Sequence, residues 1–262
     1  MIPKTIHYCW FGGNPKSKLI EKCIKSWKKY CPDYEIIEWN ESNFDINCCD
    51  YVKEAYEAKK WAFVTDYVRI WALNTYGGVY LDTDVEIKKS IDKFLEHSAF
   101  TGFERKDLPF TAVYGSEPNH PLCNTILSYY DGRHFLLPDG SFDLTTNTIS
   151  VTDLLIKKYN IVLNNETQTF QDGLVVYSND YFCPKSYVDD RVYKTKNTHA
   201  IHWFNASWHS KADAENRKYS KKRVKYYKRK NIINHIIYSP IILAKKIIGE
   251  KLYEKIKSII KR

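Results

Sequence analysis

Apolar and polar positions change period along the chain, and each change marks an element boundary. Ile2–Phe11 is an apolar run that reads as a strand, closed by Gly12-Gly13. Lys16–Tyr30 places Ile20, Cys23, Ile24 and Trp27 on one helical face and stops at Cys31-Pro32, because proline drives the residue before it out of the helical region. Tyr34–Trp39 predicts a second strand and Tyr51–Lys60 a second helix. Within Trp61–Tyr76, residues Phe63, Tyr67, Ile70, Trp71 and Asn74 fall at helical spacing. Gly77-Gly78 ends that helix, since glycine takes the left-handed C-terminal conformation without a Cβ penalty. Val79-Tyr80-Leu81 follows as a short buried strand. This alternation predicts an α/β architecture, a mostly parallel sheet with covering helices.

Further along, Ile91–Leu95 predicts a short helix, and Ala99–Phe103 and Phe110–Tyr114 predict strands. Asn119–Tyr130 is a helix with Pro121 in its first turn, where the missing N–H is harmless. Residues 131–143 are turn-rich and read as an exposed loop of the kind that carries acceptor specificity. Ser150 and Asp153 have the spacing of an N-cap and its capping-box partner. Residues 161–163 and 174–177 are short strand candidates.

Composition adds three constraints. The 262 residues are 44% hydrophobic and 15% aromatic, enough to bury the core of one α/β domain with an appendage. Seven cysteines, an odd number with Cys48 and Cys49 adjacent and no C-x-x-C, do not form a disulfide framework; they predict a reducing, cytoplasmic setting. The first residues read as a core strand rather than a signal peptide, and no apolar run approaches the ~20 residues of a spanning helix. The net charge of +9 is uneven: residues 211–262 hold 17 of the 40 Lys+Arg and 4 of the 31 Asp+Glu. The body is slightly acidic and the tail strongly basic, which predicts an anionic partner for the tail alone.

The candidate chemistry lies where the apolar strand ends. Asp82 and Asp84 are two apart, and in an extended backbone they point to one face. Paired carboxylates repel unless a cation lies between them, and hard cations such as Mn2+ or Mg2+ prefer oxygen ligands. Asp66 and Arg69 share a face of the preceding helix among apolar neighbours. Such a pair is either a surface ion pair or a charge kept near the core for a purpose. Trp10 stands at the C-terminal end of the first strand, where open α/β sheets bind ligands, as a core residue or a stacking platform. His199 and His202 are three apart near the end of the body, as metal ligands or as hydrogen-bonded core residues.

Three stretches, in order, carry a resemblance. Asp66 to Arg69 followed by Tyr76-Gly77-Gly78-Val79-Tyr80-Leu81-Asp82-Thr83-Asp84 resembles the Asp-x-Asp region of glycosyltransferase family 32, which includes capsular polysaccharide transferases and yeast-type initiating mannosyltransferases. It is also similar to the glucosylating domain of large clostridial toxins. Ile2 to Gly13 resembles the family's first strand, and His202-Trp203-Phe204-Asn205-Ala206-Ser207-Trp208 its last motif. The resemblance implies a GT-A-type fold and a retaining, metal-dependent transfer from a nucleotide-sugar to a glycan or lipid-linked acceptor, in surface or capsular polysaccharide synthesis. By the same resemblance Asp84 ligates Mn2+ (or Mg2+), Asp82 contacts ribose and sugar with a metal contact, Asp66 binds sugar hydroxyls, and Arg69 meets sugar or phosphate. Tyr8, Cys9 and Trp10 read and stack on the base, uridine being favoured, and Tyr80 and Thr83 border the donor. Ser207 and Trp208 close over the diphosphate, with Ser207 completing the metal shell. The toxins place an acidic ligand three before the serine; that position here is Phe204, leaving His202 or Asn205 as alternatives.

The resemblance divides the chain into a catalytic domain, 1–215, and a basic amphipathic helical extension, 216–262. In the extension KKRVKYYKRK precedes a run of isoleucines near helical spacing, divided at Pro240. That pattern predicts a peripheral anchor on the anionic inner face of the cell membrane; a helix packed on the catalytic domain or on a partner is the alternative. A nucleic-acid partner is not expected, because no recognised binding fold accompanies the basic run. Two other functions remain open on the residues: a haloacid-dehalogenase-type phosphohydrolase, whose nucleophile motif YLDTDVE also resembles, and a non-catalytic membrane-associated binding module. The phosphohydrolase motif normally sits on the first strand, not behind two strands and a helix.

Overall fold

The computed structural model describes residues 1–205 except 111, 187 and 188. In chain order the elements are β1 (Thr5–Cys9), α1 (Lys18–Tyr30), β2 (Glu35–Trp39), α2 (Asp50–Glu57), α3 (Trp61–Tyr76), β3 (Gly78–Leu81), β4 (Val85–Ile87), β5 (Ala99–Gly102), β6 (Val113–Ser116), α4 (Pro121–Ser128), α5 (Asn147–Tyr159), β7 (Gln168–Thr169), β8 (Leu174–Tyr177) and β9 (Ala200–His202). Seven strands form one sheet in the order β2-β1-β3-β6-β5-β8-β7, and β4 pairs with β9 in a separate ribbon. In the large sheet β6 and β7 run against the other five. The expected mixed, mostly parallel sheet with flanking helices is therefore the architecture.

Both faces of the sheet are buried. Along β3, Val79 and Leu81 join Ile6, Tyr8 and Trp27 in one core, while Tyr80 joins Cys9, Val64 and Val68 in the other. This is the period-two alternation of a strand covered on both sides. Helix α1 starts at Ser17, whose hydroxyl accepts the Ile20 N–H at 3.4 Å, and Trp27 on its buried face donates to Val85 O at 2.7 Å. Helix α3 is apolar almost all round, as befits a helix wedged between the sheet and other helices.

The turn from α3 into β3 is set by close approach. Gly77 (φ +67°) caps α3, and its carbonyl accepts from His7 Nε2 at 2.8 Å. A Cβ on Gly78 (φ +109°) would stand 2.7 Å from the Thr5 carbonyl oxygen, so only glycine lets β3 lie this close to β1.

Some expectations need correction. Asp82-Thr83-Asp84 is not the end of a strand but a turn, closed by Val85 N–H donating to Asp82 O at 2.9 Å. The hydrophobic run hid the break because β4 resumes at Val85. Ser150 is not an N-cap: α5 begins a turn earlier, after Thr146, and Ser150 is buried inside it. Residues 161–163 are not a strand, and the strand expected at Phe110–Tyr114 is shifted to Val113–Ser116. Among the described residues no helix is long and apolar enough to cross a membrane. None of the seven cysteines, all among the described residues, is in a disulfide. The extension at 216–262, with its predicted boundary, lies outside the described residues.

Candidate active site

Strand β3 delivers the site, and α3 supplies its counter-charge. Asp82 leaves the sheet on the Tyr80 side, facing α3. There Arg69 lies over the Tyr80 ring at 4.8 Å and reaches Asp82 Oδ1 at 3.2 Å. The same guanidinium meets Asp66 Oδ1 at 3.1 Å. Both members of the helical pair are buried, so it is not a surface ion pair. Burial, with Asp82 adding repulsion, pushes the Asp66 carboxyl up to about 7 despite Arg69.

The turn sends Asp84 the other way, toward β9. Val85 pairs with His202 in the β4–β9 ribbon, and His202 Nε2 comes within 3.3 Å of Asp84 Oδ1. Beyond His202 the backbone bends at Phe204, a non-glycine residue at φ +54°. That bend, which is uncommon for a bulky residue, returns the Asn205 N–H to Asp84 Oδ2 at 2.6 Å. Burial opposes charge on Asp84, but His202 and this N–H outweigh it and hold the carboxyl below its ordinary range. For His202, burial likewise opposes charge and Asp84 raises its pKa well above the usual imidazole value.

Asp82, Asp84 and His202 each offer a ligand atom, and these atoms lie within 4.8 Å of one another. The two carboxylates suit Mn2+ or Mg2+, and of the two the imidazole nitrogen favours the transition ion, Mn2+. The donor set fits the ion. Of the two alternatives for a third ligand, His202 reaches the carboxylates through its ring, whereas Asn205 touches Asp84 through its backbone amide. His199 is not part of a histidine pair: three residues along the strand it faces away, with Nδ1 2.7 Å from Ser90 O.

The other predicted residues are more spread out. Trp10 is half-buried just past β1; its indole N–H donates to Asn14 O at 2.7 Å and Lys16 Nζ lies 5.4 Å from its ring centroid. Tyr8 is buried on the α1 side, with its hydroxyl on Glu38. Cys9 is buried on the opposite face, where burial raises its thiol pKa. Tyr80 is buried beneath Arg69, and Thr83 sits half-buried in the turn. Ser207 and Trp208 lie outside the described residues.

Two residues not anticipated from the sequence also reach this region. Asn147 opens α5, is buried, directs its backbone N–H to Asp66, and leaves its side-chain Nδ2 without a partner. Glu104 stands beyond the end of β5, and its Oε2 is 3.8 Å from His202 Nδ1. Burial raises its pKa, with Asp82 and Asp84 adding to the effect of burial while His202 opposes it. Because β5 runs with β1 and β3, its end opens on the same edge of the sheet, and a lone acid after an apolar strand was the available signal.

Residues 17–101 match the family model described as a glycosyltransferase sugar-binding region containing a DXD motif. The matched span includes Asp82-Thr83-Asp84, which has the form of that DXD motif. A glycosyltransferase of Acanthamoeba polyphaga mimivirus is 29% identical over 56% of this chain and 61% of its own length. Inositol phosphoceramide mannosyltransferase 2 of Schizosaccharomyces pombe is 27% identical over 69% of this chain and 54% of its own length. The mannosyl phosphorylinositol ceramide synthase SUR1 of Saccharomyces cerevisiae is 31% identical over 52% of this chain and 37% of its own length. The chain thus spans less than two thirds of each of these relatives. Among solved structures, the PaToxG glycosyltransferase aligns at TM-score 0.45 and 19% identity, over 61% of this chain and 70% of that one.

Proposed function

We propose that this chain is a metal-dependent, retaining glycosyltransferase that moves a sugar from a nucleotide-sugar to a glycan or lipid-linked acceptor. The observation that carries the reading is the convergence of Asp82, Asp84 and His202 within 4.8 Å beside the buried Asp66–Arg69 pair. Bound by those three side chains, Mn2+ or Mg2+ supplies Lewis acidity toward a departing diphosphate. Arg69 fixes Asp66 and Asp82 in place and offers a planar cation to the sugar or phosphate. Asp66 accepts from donor-sugar hydroxyls, and Asp82 from the ribose and sugar. Trp10 stacks on the base, backbone groups of Tyr8 to Trp10 read its edge, and Ser207 and Trp208 close over the diphosphate. Departure and attack occur on one face of the sugar, which gives retention without a covalent intermediate.

The relatives' names favour a mannosyl group and a sphingolipid acceptor, whereas the toxin-like placement of Trp10 favours a uridine carrier. Exposed Leu136, Leu137, Phe142 and Leu144 support an acceptor with a lipid portion. Of these, Phe142 stacks on Phe135, which packs on Tyr51 and Phe63, and Phe63 lies one helical turn from Asp66. The basic residues of 216–262 have the charge to face an anionic membrane, and the role is in building a surface glycan, such as a capsular polysaccharide, or a glycolipid.

The test is thermal stabilisation by UDP and by GDP, each with and without Mn2+, since a ligand of the native state raises stability by mass action. A metal-dependent shift with one nucleotide is expected and identifies the carrier base. No shift with either nucleotide, with metal or without, overturns the reading.

A further inference from the structure

The His202 ring lies between two carboxylates. Its Nε2 faces Asp84 at 3.3 Å, and its Nδ1 faces Glu104 at 3.8 Å. That Nδ1 is buried and has no hydrogen-bond partner of normal geometry, although the Cys183 thiol interacts with the ring as a weak partner. A buried imidazole nitrogen without a partner is costly, so such a site is built to receive one. The Glu104 carboxylate is the nearby acceptor, slightly beyond hydrogen-bond distance at 3.8 Å. Histidines that ligate metals almost always donate their second ring N–H to a carboxylate, carbonyl or water, and this fixes which nitrogen meets the metal.

We propose that Glu104 is a positioning residue. It accepts the His202 Nδ1–H and so presents the Nε2 lone pair to a divalent cation shared with Asp82 and Asp84. The assignment rests on the metal-dependent reading of the site, but it concerns the ligand shell and not the sugar chemistry. It also accounts for an acid, beyond those of the DXD motif, at this edge of the sheet. Glu104 is not itself placed as a ligand: it lies on the far side of the imidazole from Asp84.

The experiment is a Mn2+ titration of the purified full-length chain followed by electron paramagnetic resonance, without nucleotide or sugar. Glu104→Ala is expected to weaken Mn2+ binding by about 10-fold or more. Glu104→Gln is expected to keep most of the affinity, because its amide oxygen still accepts the Nδ1–H. Unchanged affinity in Glu104→Ala overturns the proposal. Glu104→Gln as damaging as Glu104→Ala also overturns it, since that pattern marks a direct carboxylate ligand. Should Glu104→Ala not fold, 15N-histidine spectra of the wild-type protein loaded with Mg2+ decide the matter. The Nδ1–H tautomer at His202 supports the proposal, and the Nε2–H tautomer overturns it. A wild-type chain that binds no Mn2+ fails the metal reading as a whole, whereas normal wild-type binding with an unaffected Glu104→Ala fails this assignment alone.

Discussion

Arg69 holds two carboxylates from different elements, Asp66 at 3.1 Å within its own helix and Asp82 at 3.2 Å in the turn after β3. Removing the cation leaves Asp66 buried, with half-buried Asp82 beside it, without compensation. Arg69→Ala is expected to destabilise the fold by about 3–5 kcal/mol at pH 8. The penalty should shrink at pH 6, because Asp66, already pushed up to about 7, then takes a proton at little cost. Denaturant midpoints at the two pH values check this; an equal loss at both would show that Asp66 is not the acid left exposed to the change.

Asp84 is the point where the β9 side of the site meets the DXD turn. Asp84→Ala is expected to abolish the Mn2+-dependent nucleotide stabilisation and to lower transfer by at least ~1,000-fold, the several kcal/mol that a Lewis acid contributes. Circular dichroism should show the fold retained. Transfer at the wild-type rate would remove Asp84 from the metal site.

Two glycines with positive φ separate conformational freedom from space. Gly78→Ala places a Cβ 2.7 Å from the Thr5 carbonyl oxygen and should cost about 1–3 kcal/mol or more. At Gly13 a Cβ meets nothing within 4 Å, so Gly13→Ala should lose only the ~1 kcal/mol of a left-handed residue. Urea midpoints of the two variants give the comparison, and equal losses would contradict the close packing of β3 on β1.

Stability should fall on the acid side because of His7. Its Nε2–H donates to Gly77 O at 2.8 Å and its Nδ1 accepts from Trp39 Nε1 at 3.2 Å, so both nitrogens are committed in the neutral ring. Burial lowers its pKa, as it does for His120 and His199. Below about 6.5 the unfolded chain binds a proton that the folded chain excludes. The stability contributed by a neutral His7 is therefore complete above that pH and is lost as pH falls toward the folded value. Melting temperatures between pH 7 and pH 5 should drop, and less steeply in His7→Gln.

The helices and strands of the first 81 residues were legible because each buries a face of regular period, and Gly77-Gly78 and Cys31-Pro32 mark their ends by backbone sterics. The turn at Asp82–Asp84 was not, because an apolar strand resumes directly at Val85 and masks the break. Asp66, Arg69, Asp82 and Asp84 were found by charge among apolar neighbours. Asn147 was missed because its sequence surroundings are polar, and Glu104 because a single acid after an apolar strand has no partner nearby in sequence; only the fold brings them to this region. Of the last motif, His202 to Asn205 are among the described residues, and the ring of Phe204, where the toxins have an acid, packs against His202 with centroids 4.2 Å apart.

The pairing of β4 with β9 has a consequence for how the chain is made. The acidic half of the metal site is in place once the first half of the described fold exists, but its imidazole arrives with nearly the last described strand. A ribosome-bound or prematurely terminated product that stops before Ala200 would own the DXD turn and lack the nitrogen that completes it. A fragment that ends before Ala200 would therefore hold the paired carboxylates of the turn without the imidazole that faces them.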